Sequence, residues 1–301
     1  MIEIPHLKGI EVDPVLIANS VASGFFLGGI LALTALGLSL VLGVMRLINL
    51  AHGEILIGGA YASLFLLQLT ALDTLIGLPL VAVIVGLLAL PAQRMLLAPL
   101  SSEDQNAPMM TTFGISIILQ NVFLYFFSAD TRAIEAPYAS LPLNLGPITV
   151  PLIYVIGFVL SVAIIIAVHI LVYRTAFGRE LRASATDADA AQSVGVNVSR
   201  VYTLTFVLGA ACAAVGGALI GIIFSFTPTS GATYLLLNFA IVVLGGLGNI
   251  VGTLVAGITL GIVQGIGGIV LGDGYRDFIG LLLFIVALAF RPCGLLKKAA
   301  V

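Results

Sequence analysis

Pro14 to Met45 reads PVLIANSVASGFFLGGILALTALGLSLVLGVM and contains no Lys, Arg, Asp or Glu. A run of that length exceeds the ~20 apolar residues that cross a bilayer as a helix. It is not alone: Ser140 to Val172 and Val201 to Leu271 are equally free of acidic and basic side chains. Across the 301 residues 60% are hydrophobic and only 9% charged, where a soluble domain carries roughly a quarter charged residues. A soluble fold could not hide that much apolar surface, so lipid is the solvent. In lipid every backbone N–H and C=O must be paired within its own element, and the runs are too long and too irregular for barrel strands. The sequence predicts an all-α polytopic integral membrane protein.

Hydrophobic segments fall at about 15–44, 53–71, 74–92, 109–128, 148–172, 201–226, 233–247, 249–271 and 277–290, giving eight or nine transmembrane or re-entrant helices, some broken at Gly or Asn. The element 233–247 is short and ends at Gly245, Gly246 and Gly248. It is either a span or a re-entrant helix shielded by protein. No polar insert is long enough for a soluble domain, so residues 1–301 are expected to form a single transmembrane domain. Seven of the twelve Lys and Arg residues lie in two places: Arg174, Arg179, Arg182 and Arg200 in the polar loop 173–200, and Arg291, Lys297 and Lys298 at the C-terminus. By the positive-inside rule both are cytoplasmic. Tracing backwards puts 128–149, the acidic hairpin Asp273 to Asp277 and the N-terminus outside, with Arg46 and Arg94 inside. The N-terminal MIEIPHLKGIEVDP, with one Lys against three acids, is not expected to be a cleaved signal. Cys212 and Cys293 suggest neither a disulfide framework nor a metal site.

The loop carries the most informative stretch, Gly178 to Arg200, GRELRASATDADAAQSVGVNVSR. Thr186 to Val194 is a helix candidate: Thr186 or Asp187 can cap it, Asp187 and Asp189 complement its dipole, and Gly195 can supply a left-handed stop. Read alone, it is either a solvated connector or a compact helix suited to docking in a groove.

Asp189-Ala190-Ala191-x-x-x-Gly195 resembles the Glu-Ala-Ala-x-x-x-Gly core of the coupling loop of bacterial ABC importer permeases, with Asp in place of Glu. The resemblance extends along the chain. Leu38 to Tyr61, LSLVLGVMRLINLAHGEILIGGAY, looks like the N-terminal signature of the branched-chain amino acid ABC permeases, specifically the smaller of their two permease subunits. Leu236 to Thr253, LLNFAIVVLGGLGNIVGT, and Arg291-Pro-Cys-Gly-Leu295 resemble the late signatures in the expected order. Cys293 inside the Arg-Pro-x-Gly pattern is a small departure. The resemblance implies a non-enzymatic transport subunit of the bacterial cytoplasmic (inner) membrane. Its expected partners are two cytoplasmic ATPase subunits carrying ATP and Mg, a second homologous permease or a second copy of itself, and a periplasmic or lipid-anchored solute-binding protein. It implies Asp187, Asp189, Ala190, Ala191 and Gly195 as the ATPase-coupling residues, and leucine, isoleucine and valine as solutes. Related permeases move urea, short amides and other amino acids.

Asn49, His52 and Glu54 interrupt an apolar region. A carboxylate in the membrane is costly, so Glu54 is expected to sit near an interface, to pair with a partner such as Arg46 or His52, or to face water. The three either line the solute path or satisfy the backbone of a broken helix. Asn121, Asn238, Asn249 and Gln264 are the other candidate path residues; interhelical hydrogen bonding is the commoner role of such side chains. Gln68, Gln120 and His169 complete the polar positions, with His169 expected at an interface. Rows of small residues at 209, 213, 217 and 221, and at 257, 261 and 265, point to close helix packing more than to pore lining.

No Gly-x-x-x-x-Gly-Lys-[Ser/Thr] occurs, and Lys appears only at 8, 297 and 298. ATP phosphates therefore have no cradle of that kind here, and no cofactor is expected on this chain. Neither His-Glu-x-x-His nor Gly-x-Ser-x-Gly is present, and the His residues at 6, 52 and 169 are too scattered to suggest a metal. The charge balance does not point to nucleic acid. The competing class is an ion-coupled secondary transporter or channel, whose relay could only be the 49–54 cluster.

Overall fold

The computed structural model describes residues 14–100 and 106–290. The N-terminal stretch, the Arg291–Leu295 motif, Cys293, Lys297 and Lys298 lie outside them. The described chain folds as α1 (Pro14–Met45), α2 (His52–Thr70), α3 (Thr74–Pro91), α4 (Asn106–Phe127), β1 (Pro142–Leu145), β2 (Ile148–Pro151), α5 (Leu152–Arg174), α6 (Ala176–Thr186), α7 (Ala188–Ser193), α8 (Val198–Ile223), α9 (Gly231–Gly245), α10 (Ile250–Leu271) and α11 (Arg276–Phe290). Seven helices among the described residues are long and apolar enough to cross a membrane, the third continuing through a widened turn to Leu100. The shorter α9 and α11 have 15 residues each.

Helix α1 is the hub. Its 32 residues extend ~48 Å at 1.5 Å per residue, and its middle is buried on every side. Small residues make this possible: Gly24 and Gly28 lie against Gly261 and Gly257 of α10, Gly37 against Gly209 of α8, and Gly43 against Gly248. Helix α8 is nearly as central, because Gly217 packs on the backbone of Leu56 in α2, where a Cβ would overlap the Leu56 carbonyl oxygen. The expected small-residue rows on α8 and α10 are thus helix contacts, although Gly261 and Gly265 also border a cavity at the hairpin end of the bundle. Helix α4 stands at the periphery, with Pro108 and Thr112 its only fully buried residues.

Two irregular segments enter the bundle. Helix α1 ends at Arg46, whose left-handed backbone (φ 52°) donates its N–H to Leu42 O at 3.1 Å. The chain 46–51 then runs back inward, so that the first residue of α2, His52, meets Thr34 of α1, eleven residues before α1 ends. After α8, residues 224–230 likewise turn inward. There Phe226 and Arg132 exchange backbone hydrogen bonds, and Ile134 N–H donates to Gly221 O. Helix α9 starts at Gly231 against Gly53 of α2 and reaches the level of Gly43, where Gly246 (φ 88°) and Gly248 (φ 72°) reverse the chain into α10. At ~22 Å α9 is too short to cross alone, and the irregular segment 224–230 precedes it inside the bundle.

Three expectations change. The segment expected at 148–172 begins as a strand: 148–151 pairs antiparallel with 142–145 across Gly146 (φ 68°), and the helix starts only at Leu152. The apolar Ile148-Thr-Val-Pro151 merges with the run that follows, and only the turn Gly146-Pro147 separates them. The helix expected over 186–194 is α7, shortened to 188–193, and the extended Asp187 (φ −152°) that caps it separates it from α6, a helix within the loop that the sequence reading did not give. Glu54 pairs with neither Arg46 nor His52, since among the described residues the ion pairs are Arg132–Asp130 and Arg276–Asp273.

Candidate translocation site and coupling loop

The inward segment 46–51 would leave backbone groups unpaired inside the bundle, and two side chains prevent this. Thr112 Oγ1 on α4 accepts from Leu50 N–H (3.2 Å) and lies 3.3 Å from Ile48 O. Asn49, 1% exposed, accepts from Ala51 N–H through its Oδ1 (3.1 Å), while its own carbonyl receives His52 N–H. The turn that leads into α2 is therefore held by side chains, although α2 itself has no side-chain cap.

Glu54 follows in the first turn of α2, where the helix dipole favours a negative charge. It is 3% exposed. Ser116 of α4 stands near its carboxylate, and Oε1 lies beside Gly231, the first residue of α9. Oε2 is buried with no hydrogen-bond partner. Beside it is a cavity of about 190 Å³ between α2, α3 and α4. Asn49, Glu54 and Thr112 form its polar end, and Val85, Leu88, Ile115, Leu119 and Phe123 are part of an apolar wall.

His52 turns away from this cavity. Its Nε2 lies 2.9 Å from Thr34 O, and the Thr34 hydroxyl reaches Asn238 Oδ1 at 2.7 Å. Asn238 of α9 is fully buried, and its Nδ2 has no partner. The cluster of three sequence positions is thus divided: Asn49 and Glu54 face the α2–α3–α4 cavity, while His52 and Asn238 join through α1. The remaining path candidates lie apart. Asn249 caps α10 by accepting from Gly252 N–H (3.0 Å), and Gln264 donates to Asp277 at 3.3 Å at the hairpin end. Asn121 is on the exposed face of α4, bonded to Ile117 O.

At the opposite end the loop 173–200 is ordered by its own side chains. Thr175 caps α6 by accepting from Gly178 N–H, and Arg182 donates to Val172 O while lying 5.3 Å above the Tyr173 ring. Asp187 accepts from both Asp189 N–H and Ala190 N–H at 3.0 Å, the cap expected for α7. Gly195 (φ 92°) ends it, with Val196 N–H returning to Ala191 O. Ala191 is 4% exposed and faces the bundle, whereas Asp189 and Ala190 face out. Val194, 80% exposed at the tip, is a residue that motif reading passed over. An apolar side chain held on a polar turn was its only signal.

A family model described as the permease component of branched-chain amino acid transport systems matches residues 20–288. The chain belongs to this permease family. The permease is 29% identical over 299 residues to the "High-affinity branched-chain amino acid transport system permease protein BraD" of Pseudomonas aeruginosa, covering 94% of this chain and 96% of the relative. It is 31% identical over 295 residues to the LivH protein of Escherichia coli K12, which bears the same description, covering 93% and 95%. A probable LivH permease of Methanocaldococcus jannaschii is 29% identical over 281 residues. The match spans both inward segments and the whole of the loop 173–200.

Proposed function

We propose that this permease imports branched-chain amino acids, leucine, isoleucine and valine, as the membrane subunit of an ATP-driven transporter. Energy enters from two ATPase subunits, which hold ATP and Mg at the cytoplasmic end. An external binding protein delivers the solute, and a second permease chain completes the pore. The observation that carries this reading is α7. It is a six-residue helix with a side-chain cap at its start and a glycine stop at its end, and it presents Asp189, Ala190 and Val194 outward from a rigidly anchored loop. A solvated connector has no need of an 80% exposed valine held at its tip. The relatives' transport of branched-chain amino acids, together with matches over nearly their full length, supports the solute class.

The test is co-purification of the ATPase subunits with the wild-type permease and with the surface variant Val194→Asp/Asp189→Arg, alongside ATP-dependent leucine uptake in vesicles. Both substitutions leave the buried Ala191 untouched, so thermal unfolding of the permease is expected to be unchanged. The expected result is loss of the ATPase and of uptake together. Uptake driven by an ion gradient with no ATPase present would overturn the reading.

A further inference from the structure

On one flank of the bundle α3, α5, α6 and α8 enclose a groove of about 450 Å³ that no polar side chain lines. Small residues make its floor: Gly86 of α3 lies against Val207 and Ala211 of α8, where an added Cβ would stand 3.3 Å from Val207 Cγ1. Large residues make its rim. Val83, Leu87 and Leu204 are 56%, 57% and 40% exposed, and Leu171 of α5 and Phe177 of α6 stand where the loop 173–200 begins. Along α8 the lining runs from Leu204 to Ala211, ~10 Å at 1.5 Å per residue, which fits within the ~15 Å of hydrocarbon that one leaflet contributes.

One end of this groove is charged. Arg200 precedes Leu204 by four residues and shares its face of α8, and Arg174 follows Leu171 by three at the end of α5. Both are exposed, and the last turn of α5 and the first turn of α8 contain no acidic residue. Among the described residues neither arginine takes part in an ion pair. An apolar trough of one leaflet's depth, ending on two cations that no protein carboxylate answers, matches a molecule with an acyl chain and an anionic head. A helix of another subunit would fill the trough and leave the arginines unanswered.

We infer that the groove seats an anionic phospholipid, with an acyl chain on Gly86, Leu87 and Leu204 and the phosphate between Arg174 and Arg200. Basic residues at the membrane surface attract anionic lipid, and the trough gives that attraction a fixed place. Because Phe177 opens α6 and Leu204 lies in α8, the lipid touches both ends of the loop 173–200. The seat depends neither on the solute nor on the ATPases.

The chain contains no Trp, so one introduced Trp reports the lipid beside it. The full-length chain carrying Phe177→Trp or Leu87→Trp is reconstituted in phosphatidylcholine vesicles that contain a small fraction of lipid brominated in its acyl chains, either phosphatidylglycerol or phosphatidylcholine, and quenching of the Trp fluorescence is compared. Val255→Trp, at a 42% exposed position of α10, a helix without charged residues, reports ordinary boundary lipid. At 177 and 87 brominated phosphatidylglycerol is expected to bind at least about five-fold more tightly than brominated phosphatidylcholine, and at 255 the two are expected to be about equal. Arg174→Gln/Arg200→Gln, at exposed positions, is expected to bring 177 and 87 down to the value at 255. An equal preference at all three positions means boundary lipid only and overturns the inference, as does a preference that survives the loss of both arginines. No quenching at 177 and 87 by either lipid, with quenching at 255 intact, means that protein covers the groove and overturns it as well. If Phe177→Trp does not fold, the exposed Leu87→Trp decides alone by the same outcomes.

Discussion

At the scale of single residues, the membrane interior makes each backbone group count, and Thr112 shows how. Its hydroxyl lies against both Leu50 N–H and Ile48 O, in the break between α1 and α2. Thr112→Val keeps the shape and removes the acceptor, so a buried N–H loses its partner at a cost of ~1–3 kcal/mol. Unfolding in detergent is expected to show that loss, while Thr111→Val one position earlier, which breaks only a bond to Ala107 O in its own helix, is expected to stay within ~0.5 kcal/mol. Equal effects of the two would show that the inward segment does not depend on α4. Asn49 and Glu54 were legible in the sequence as polar intrusions in an apolar run. What the sequence did not show was their separation from His52: on a broken helix the direction of each side chain is set by the turn at 46–51. That turn depends on Thr112, 58 residues beyond Glu54 and unmarked by any local pattern.

At the scale of elements, charge-free length identified every span, because the bilayer imposes a single requirement on each. Where that requirement lapses, reading by composition weakened. The hairpin 142–151 was absorbed into the apolar run of α5, and α6 was missed inside a loop read as polar connector, whereas α7 was read with its cap at Asp187 and its stop at Gly195. The same cap gives a prediction. Asp187→Ala removes the acceptor for Asp189 N–H and Ala190 N–H, a change worth ~0.5–2 kcal/mol, which for a helix of one and a half turns shifts most of its folding equilibrium. Hydrogen exchange at residues 188–193 is expected to accelerate by about two- to thirty-fold, with weaker ATPase binding. Asp187→Asn keeps a side-chain acceptor and is expected to restore slow exchange. Fast exchange in both variants would mean that charge, and not the capping bond, holds α7.

At the scale of the whole molecule, the described residues place seven helices long and apolar enough to cross a membrane beside the shorter α9 and α11. Helix α1 begins at the hairpin end of the bundle and α5 delivers the chain to the loop 173–200. Helix α8 leaves that loop, α9 and α10 return to it and depart again, and α11 closes the sequence of crossings. The loop carries Arg174, Arg179, Arg182 and Arg200, whereas the hairpin end carries Asp130, Glu135, Asp273 and Asp277 against Arg132 and Arg276. The positive-inside rule therefore orients every segment at once. Inversion would place α7 on the side that lacks ATP and make the whole energetic reading untenable. Cysteine labelling separates the two orientations in a background with Cys212→Ala and Cys293→Ser, where Cys212 is already buried within α8. Ser140→Cys and Ser193→Cys both replace exposed residues at opposite ends of the bundle. A membrane-impermeant maleimide applied to intact cells is expected to label position 140 and spare 193, and in inside-out vesicles to do the reverse. If 193 is labelled from outside and 140 is spared, the bundle is inserted the other way round. The coupling role of α7 would then fall with that orientation.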